Sequence, residues 1–272
     1  MTINCKGKLI DLSTPKVMGI LNITPDSFFD GGKYKNDKAV LVQVEKMLND
    51  GATFIDIGGY SSRPGAKHIS EEEELMRVGP IVKMVHEEFP EVLISIDTFR
   101  SKVAKEVIAM GGALVNDISG GKMDANMFAT VAQLQVPYIM MHMQGTPQNM
   151  QQNPEYKNVV TEVIAFFAEQ LQQLKELKIN DIIVDVGFGF GKTLEHNFEL
   201  LNKLSLFKVL DAPILTGVSR KSMLYKTLDI TPKEALNATT VANTIALLNG
   251  TSILRVHDVK EAVQAVTIVN RF

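Results

Sequence analysis

Short apolar runs recur along the chain: "KVMGILN", "TFIDIGG", "VLISIDT", "ALVNDISG", "VPYIMMHM", "DIIVDVGFG", "APILTGVS" and "SILRVHD". Each is rich in Ile, Val, Leu or Met and nearly continuous in hydrophobicity, the pattern of strands covered on both faces. Between them, apolar residues recur at helical spacing over residues 38–49, 71–88, 101–110, 125–135, 159–177, 195–208, 233–248 and 259–270. Eight strand-then-helix units in one chain of this length predict an α/β fold, a (β/α)8 TIM barrel spanning residues 1–272 as a single domain. A doubly wound open sheet is the alternative, but eight units and the lack of a dinucleotide glycine fingerprint count against it. The opening "INCKGKLIDL" precedes the first barrel strand and reads as a hairpin closing the barrel's bottom.

Polar residues gather where the strands stop. Asn22, Asp56, Asp97, Thr98, Asn116, Asp117, His142, Asp185, Ser219, Arg220, Lys221, Arg255 and His257 all stand at or just past strand ends. In a barrel these ends converge on the C-terminal mouth, where active sites sit. One such Asp is more often a helix cap or turn former than a catalytic group, and Asp117 and Asp258 are assigned to that role. A ring of them is harder to bury without a ligand.

Composition narrows the classes. The chain has 272 residues, 45% hydrophobic and 22% charged, with net charge −3 and no run of Lys or Arg, which argues against a nucleic-acid surface. Cys5 is the only cysteine, so neither an internal disulfide nor a thiolate zinc site is available, and a reducing, cytoplasmic setting is expected. The N-terminus lacks a signal-peptide core and no apolar run is long enough to span a bilayer.

The charged residues suggest two subsites. Arg63, Lys221, Arg255 and His257 supply positive charge from separate units, and "GVSRKS" sets two hydroxyls and two cations where a strand hands over to a helix. This pattern suits an anion such as a phosphorylated ligand. Asp97, Asn116 and Asp185 lie among apolar neighbours, and carboxylates with an amide can read a flat heterocycle bearing N–H donors. "GFGFGK" at 187–192 lacks both P-loop and Rossmann spacing and reads as a flexible loop, with Phe188 and Phe190 as possible walls. The "YIMMHM" methionines read as barrel filling and His142 as a hydrogen-bonded core residue. His68 and His86 read as surface residues, and His196 as part of a helix start.

The segments "GILNITPDSFFDGG", "IDIGGYSSRPGA", "SIDTFRSKVAKEVIAMGGALVNDISGG", "DVGFGFGK", "TGVSRKSML" and "RVHDVKE" together resemble the dihydropteroate synthase family, in order and over essentially the whole chain. The resemblance implies condensation of 6-hydroxymethyl-7,8-dihydropterin diphosphate with 4-aminobenzoate, releasing diphosphate, with sulfonamides competing at the aminobenzoate site. It implies Asp97, Asn116, Asp185 and Lys221 as pterin ligands, with Arg255 stacking on the ring. Asn22, Arg63, Arg255 and His257 would hold diphosphate and Mg²⁺, with Asn22 as the metal ligand. Phe28, Ser62, Pro64, Phe190, Lys221 and Ser222 would surround the aminobenzoate. Asp97, Asp185, Lys221 and Arg255 would carry the chemistry, and a homodimer is implied.

Two departures from the family pattern are Tyr60, where many relatives have Glu, and Ser62, where many have Thr. On this reading the loop at 22–32, with Phe28 and Phe29, is a lid that shields a cationic intermediate from water. An arylamine is already neutral near pH 7, so no general base is expected. A pterin-binding methyltransferase and a non-catalytic pterin-binding protein of the same fold are the alternatives. The methyltransferase would not need the "TPDSFF" loop, Arg63 or the turn at 219–222. The binding protein would be expected to lose residues of the anion set, yet Asn22, Arg63, Lys221, Arg255 and His257 are all present.

Overall fold

The computed structural model describes residues 1–23, 33–61 and 68–272. Eight parallel strands close into a barrel, as the apolar runs predict: β3 (Lys16–Asn22), β4 (Phe54–Gly58), β5 (Leu93–Asp97), β6 (Leu114–Asp117), β7 (Tyr138–Met141), β8 (Ile182–Asp185), β9 (Ile214–Thr216) and β10 (Ile253–Val256). Closure is between β10 and β3, with Arg255 beside Met18 and Val256 beside Gly19. β1 (Thr2–Cys5) and β2 (Lys8–Asp11) form the expected antiparallel hairpin. Its Ile3 and Cys5, with Leu12 just beyond, pack against Met18, Phe54, Ile139 and Ile253 and so plug the barrel from below.

The helices cover the outside. They are α1 (Lys33–Asn49), α2 (Glu71–Glu88), α3 (Ser101–Ala109), α4 (Met127–Leu134), α5 (Val159–Glu176), α6 (Leu194–Asn202), α7 (Ser222–Tyr225), α8 (Leu236–Leu248) and α9 (Val259–Val269). Local sequence sets several starts. Ser70 caps α2 by accepting from the Glu73 amide, and four glutamates fill its first turn, where the helix dipole favours negative charge. Asn158 caps α5 in the same way. Thr193 and His196 form a reciprocal capping box on α6.

Three helical spans differ from the spacing. The first begins at Lys33 rather than 38. The stretch 195–208 divides into α6 and a 3-10 helix, Leu204–Leu210, whose buried residues Leu204, Phe207 and Leu210 recur every third position. The stretch 233–248 opens with a separate 3-10 turn, Pro232–Glu234, under its own Thr231–Glu234 capping box, before α8 begins.

The barrel's inner face explains where the site lies. Side chains two apart on a strand share a face. Phe54, Leu93, Leu114, Ile183 and Ile253 belong to the apolar plug region. Two residues further along the same face come Asp56, Ser95, Asn116, Asp185 and Arg255. The interior is therefore oily at its base and turns polar in a single step toward the mouth.

Candidate active site

Arg255 is the hub of that polar layer. Its Nε donates to Asp56 Oδ2 at 2.7 Å. Its Nη2 lies 2.6 Å from the same oxygen and donates to Asp97 Oδ2 at 2.8 Å. Asn116 Nδ2 lies 3.1 Å from Asp56 Oδ2 and 3.3 Å from Oδ1. The strand register builds this cluster directly, since Gly58 stands opposite Asp97 and Asp97 opposite Asn116. Two carboxylates share one guanidinium here. Burial, and then the Asp56 charge, push Asp97 up to about 7, with Arg255 opposing them. Burial works against the Arg255 charge, but Asp56 and Asp97 outweigh it and raise its pKa.

Asp185 and Lys221 form the facing wall. Burial raises Asp185, against the pull of Lys221 and of the Gly187 amide, which donates to Asp185 Oδ1 at 2.8 Å. Burial lowers Lys221 to about 8, with Asp185 opposing. Its Nζ donates to the Phe188 carbonyl and lies 4.8 Å from the centre of the Phe190 ring. A Cβ at Gly217 would stand in ordinary van der Waals contact with Lys221 Nζ at 3.9 Å and Arg255 Cβ at 3.8 Å, so Gly217 lines the wall between these two side chains. Phe190 also packs on a mouth cluster that includes Met141, Met143 and Tyr60, so part of "YIMMHM" does reach a ring at the mouth.

On the outer side, Ser219 Oγ accepts from the His257 amide at 3.2 Å and lies 3.0 Å from His257 Nδ1. The hydroxyl can donate to or accept from Nδ1, so this contact holds the imidazole at the mouth in either tautomer. Asn22 ends β3 opposite Gly58, at the same rim. Ser222 opens α7 directly after Lys221, and no hydrogen bond joins it to the cluster. Phe28, Ser62, Arg63 and Pro64, and residues 24–32 of the expected lid, lie outside the described residues.

Several expectations change on this geometry. Arg220 does not join an anion site: it donates to both oxygens of Asp258 at 2.8 Å and to the carbonyls of Pro232 and Lys233. Asp258 accordingly makes no capping bond to α9, although it stands at the cap position. Asp117 is a turn former, as expected, accepting from Ser119, Gly121 and the Tyr138 hydroxyl. His142 is a buried core residue held neutral, pushed down to about 2 by burial and by Lys192. His68 is exposed and bonded to Tyr60, whereas His86 is half-buried against Gly111.

The residue without an assigned role in the sequence is Asp56, now the anchor of Arg255 and Asn116. Its signal was alternation: it follows Phe54 by two on an inward face. Among the described residues no cluster of three His, Cys, Asp or Glu side chains could hold a metal ion. Asn22 at the rim carries an amide oxygen, a donor type that hard cations take beside phosphate and water.

Comparison with known proteins adds a family. The model of pterin binding enzymes matches residues 18–257. The dihydropteroate synthase of Escherichia coli K12 is 42% identical over 271 residues, covering 99% of this chain and 95% of its own. The Yersinia pestis dihydropteroate synthase, solved with a sulfonamide drug complex, superposes with TM-score 0.93 at 42% identity, covering 100% of this chain and 98% of that one. The Xanthomonas albilineans enzyme, solved with 4-aminobenzoic acid, gives TM-score 0.92 at 34% identity, covering 99% and 97%.

Proposed function

This chain belongs to the pterin binding enzyme family, and from that premise we infer how its mouth works as a dihydropteroate synthase. It condenses 6-hydroxymethyl-7,8-dihydropterin diphosphate with 4-aminobenzoate to give 7,8-dihydropteroate and diphosphate. The observation that carries the mechanistic reading is the buried Asp56–Arg255–Asp97 cluster with Asn116, facing Asp185 and Lys221. Asp97, Asn116 and Asp185 present acceptors and an amide to the edge of the pterin, and Lys221 donates to it.

The reacting carbon is a methylene on an electron-rich ring, with diphosphate as its leaving group. Cleavage of that carbon–oxygen bond leaves positive charge on the pterin and negative charge on diphosphate. Asp97 and Asp185, in their ionised forms, stabilise the first, and Arg255 with His257 stabilises the second. The neutral amine of 4-aminobenzoate then attacks the carbon and loses its proton to solvent. Mg²⁺, held by Asn22 and mainly by the diphosphate itself, would add charge neutralisation to the leaving group. Arg63 and Ser62 are proposed to complete the anion and aminobenzoate ends, with Phe28, Pro64, Phe190 and Ser222 lining the latter. Sulfonamides are expected to compete for that subsite.

We also propose a homodimer. Val241, Ile245 and Leu248 form an exposed apolar row along α8, beside the exposed Ile268 on α9. Cytoplasmic location is part of the same reading, since a single free thiol suits a reducing compartment. Among the described residues no helix is long and apolar enough to cross a membrane. The direct test measures diphosphate release with and without 4-aminobenzoate. Release only when both substrates are present supports the synthase, and release indifferent to the arylamine would overturn it.

A further inference from the structure

The segment Gly187–Lys192 has the glycine content of a phosphate cradle, but its peptide groups face the other way. The amides of Gly187 and Gly189 are occupied by Asp185 Oδ1 at 2.8 Å and Asn197 Oδ1 at 2.6 Å, and the Phe190 amide bonds the Gly187 carbonyl. What the loop gathers instead is acceptors around a cation of its own. Lys192 Nζ lies 3.0 Å from the carbonyls of Gly187 and Phe190, 3.3 Å from the carbonyl of His142 and 3.0 Å from His142 Nδ1.

Lys192 is 3% exposed. Burial pushes it down to about 7, with Asp185 opposing and Lys221 adding to the depression. The hydrogen-bond count favours its charged form. Three carbonyl oxygens surround Nζ; an ammonium brings three N–H donors to match them, whereas a neutral amine brings two and leaves a carbonyl oxygen unpaired. Nδ1 of neutral His142 adds a further acceptor when the ring proton sits on Nε2.

The glycines bring two backbones into direct contact around that ammonium. A Cβ at Gly187 would fall 2.0 Å from the His142 carbonyl oxygen, and one at Gly191 would fall 2.5 Å from that of Gln144. The opposite side of the loop meets the pocket, because the Phe188 carbonyl and the Phe190 ring are the partners of Lys221 Nζ. Two lysines therefore grip one short loop, one from the core and one from the site.

We propose that Lys192 is a positioning residue: as an ammonium it clamps the 187–191 loop to the end of β7, and so sets where Lys221 stands in the pterin pocket. The proposal rests on the synthase reading above. Its test is a double-mutant cycle in the condensation assay with Lys192→Met, Lys221→Ala and the pair, where wild-type turnover checks the reading itself. Lys192→Met alone should lower kcat/KM for the pterin diphosphate about tenfold to a hundredfold. In the Lys221→Ala background the same change should cost less than about twofold, because the route through Lys221 is already gone. Equal losses in both backgrounds would overturn the proposal, since a merely structural lysine gives additive effects. If Lys192→Met does not fold, the wild-type protein with ¹⁵N-labelled lysine supplies the second measurement. A buried Nζ that is protonated and protected from exchange at neutral pH supports the clamp, and a neutral amine there overturns it.

Discussion

Asp97 works under a conflict created by Asp56, since both carboxylates depend on Arg255. Asp97→Asn removes a charge-assisted bond worth about 1.5–3 kcal/mol, so turnover should fall roughly tenfold to a hundredfold in steady-state kinetics. Stability should move the opposite way. The folded carboxyl titrates near 7 against an ordinary 3.8, so it holds its proton more tightly folded than unfolded. Its contribution is full below the unfolded value and is lost as pH rises through about 7. Asn escapes that loss. The melting temperature of Asp97→Asn should therefore match wild type near pH 4 and exceed it above about pH 7, with the gain developing between. A variant less stable than wild type at neutral pH would show the ion pair to be a net stabiliser. Lys221→Ala should weaken calorimetric binding of a non-reactive pterin by at least about tenfold, and unchanged affinity would remove Lys221 from the pocket.

Among the elements, two glycines with similar backbones separate strain from space. Gly7, in the β1–β2 turn, has φ +78° and nothing within 4 Å of a Cβ, whereas Gly187 has φ +70° and the His142 carbonyl at 2.0 Å. Gly7→Ala should cost about 1 kcal/mol in denaturant unfolding. Gly187→Ala adds displacement of the β7–β8 junction and should cost more than about 3 kcal/mol, with activity lost as well. Similar costs for the two would mean that the junction yields easily.

The strands were legible because burial on both faces leaves continuous hydrophobic runs, and the grouping of Asp97, Asn116 and Asp185 was legible from strand-end position. Arg220 was not, because its partner Asp258 is 38 positions away and nothing local announces the pair. The 3-10 segment at Leu204–Leu210 was read as helix since periods of 3 and 3.6 hardly differ over two turns. "GFGFGK" is the loop its glycines announce, but glycine spacing does not reveal which way peptide groups point, so its hold on Lys192 was not legible. Asp56 was seen at its strand end, but only the closed barrel brings it to Arg255, which lies 199 positions away.

For the whole molecule, the proposed homodimer turns on the apolar row on α8. Ile245→Glu combined with Leu248→Glu should halve the sedimentation mass if that row is the contact between two copies, because burying a carboxylate in an apolar contact is costly. An unchanged dimer would place the contact elsewhere, and a monomeric wild type would remove it.

The hairpin plug has a consequence in time. Ile3 and Cys5 leave the ribosome before their partners, which run from Met18 to Ile253 on β10, the strand that closes the barrel. At about 5–20 residues per second, the wait from Ile3 to Ile253 is on the order of ten to fifty seconds. Through that interval the hairpin lacks its full seat, so it is fastened only when β10 arrives. A chain stopped before β10 should leave the Ile3 and Ile10 amides open to hydrogen exchange. In the finished protein their protection reports that the ring has shut.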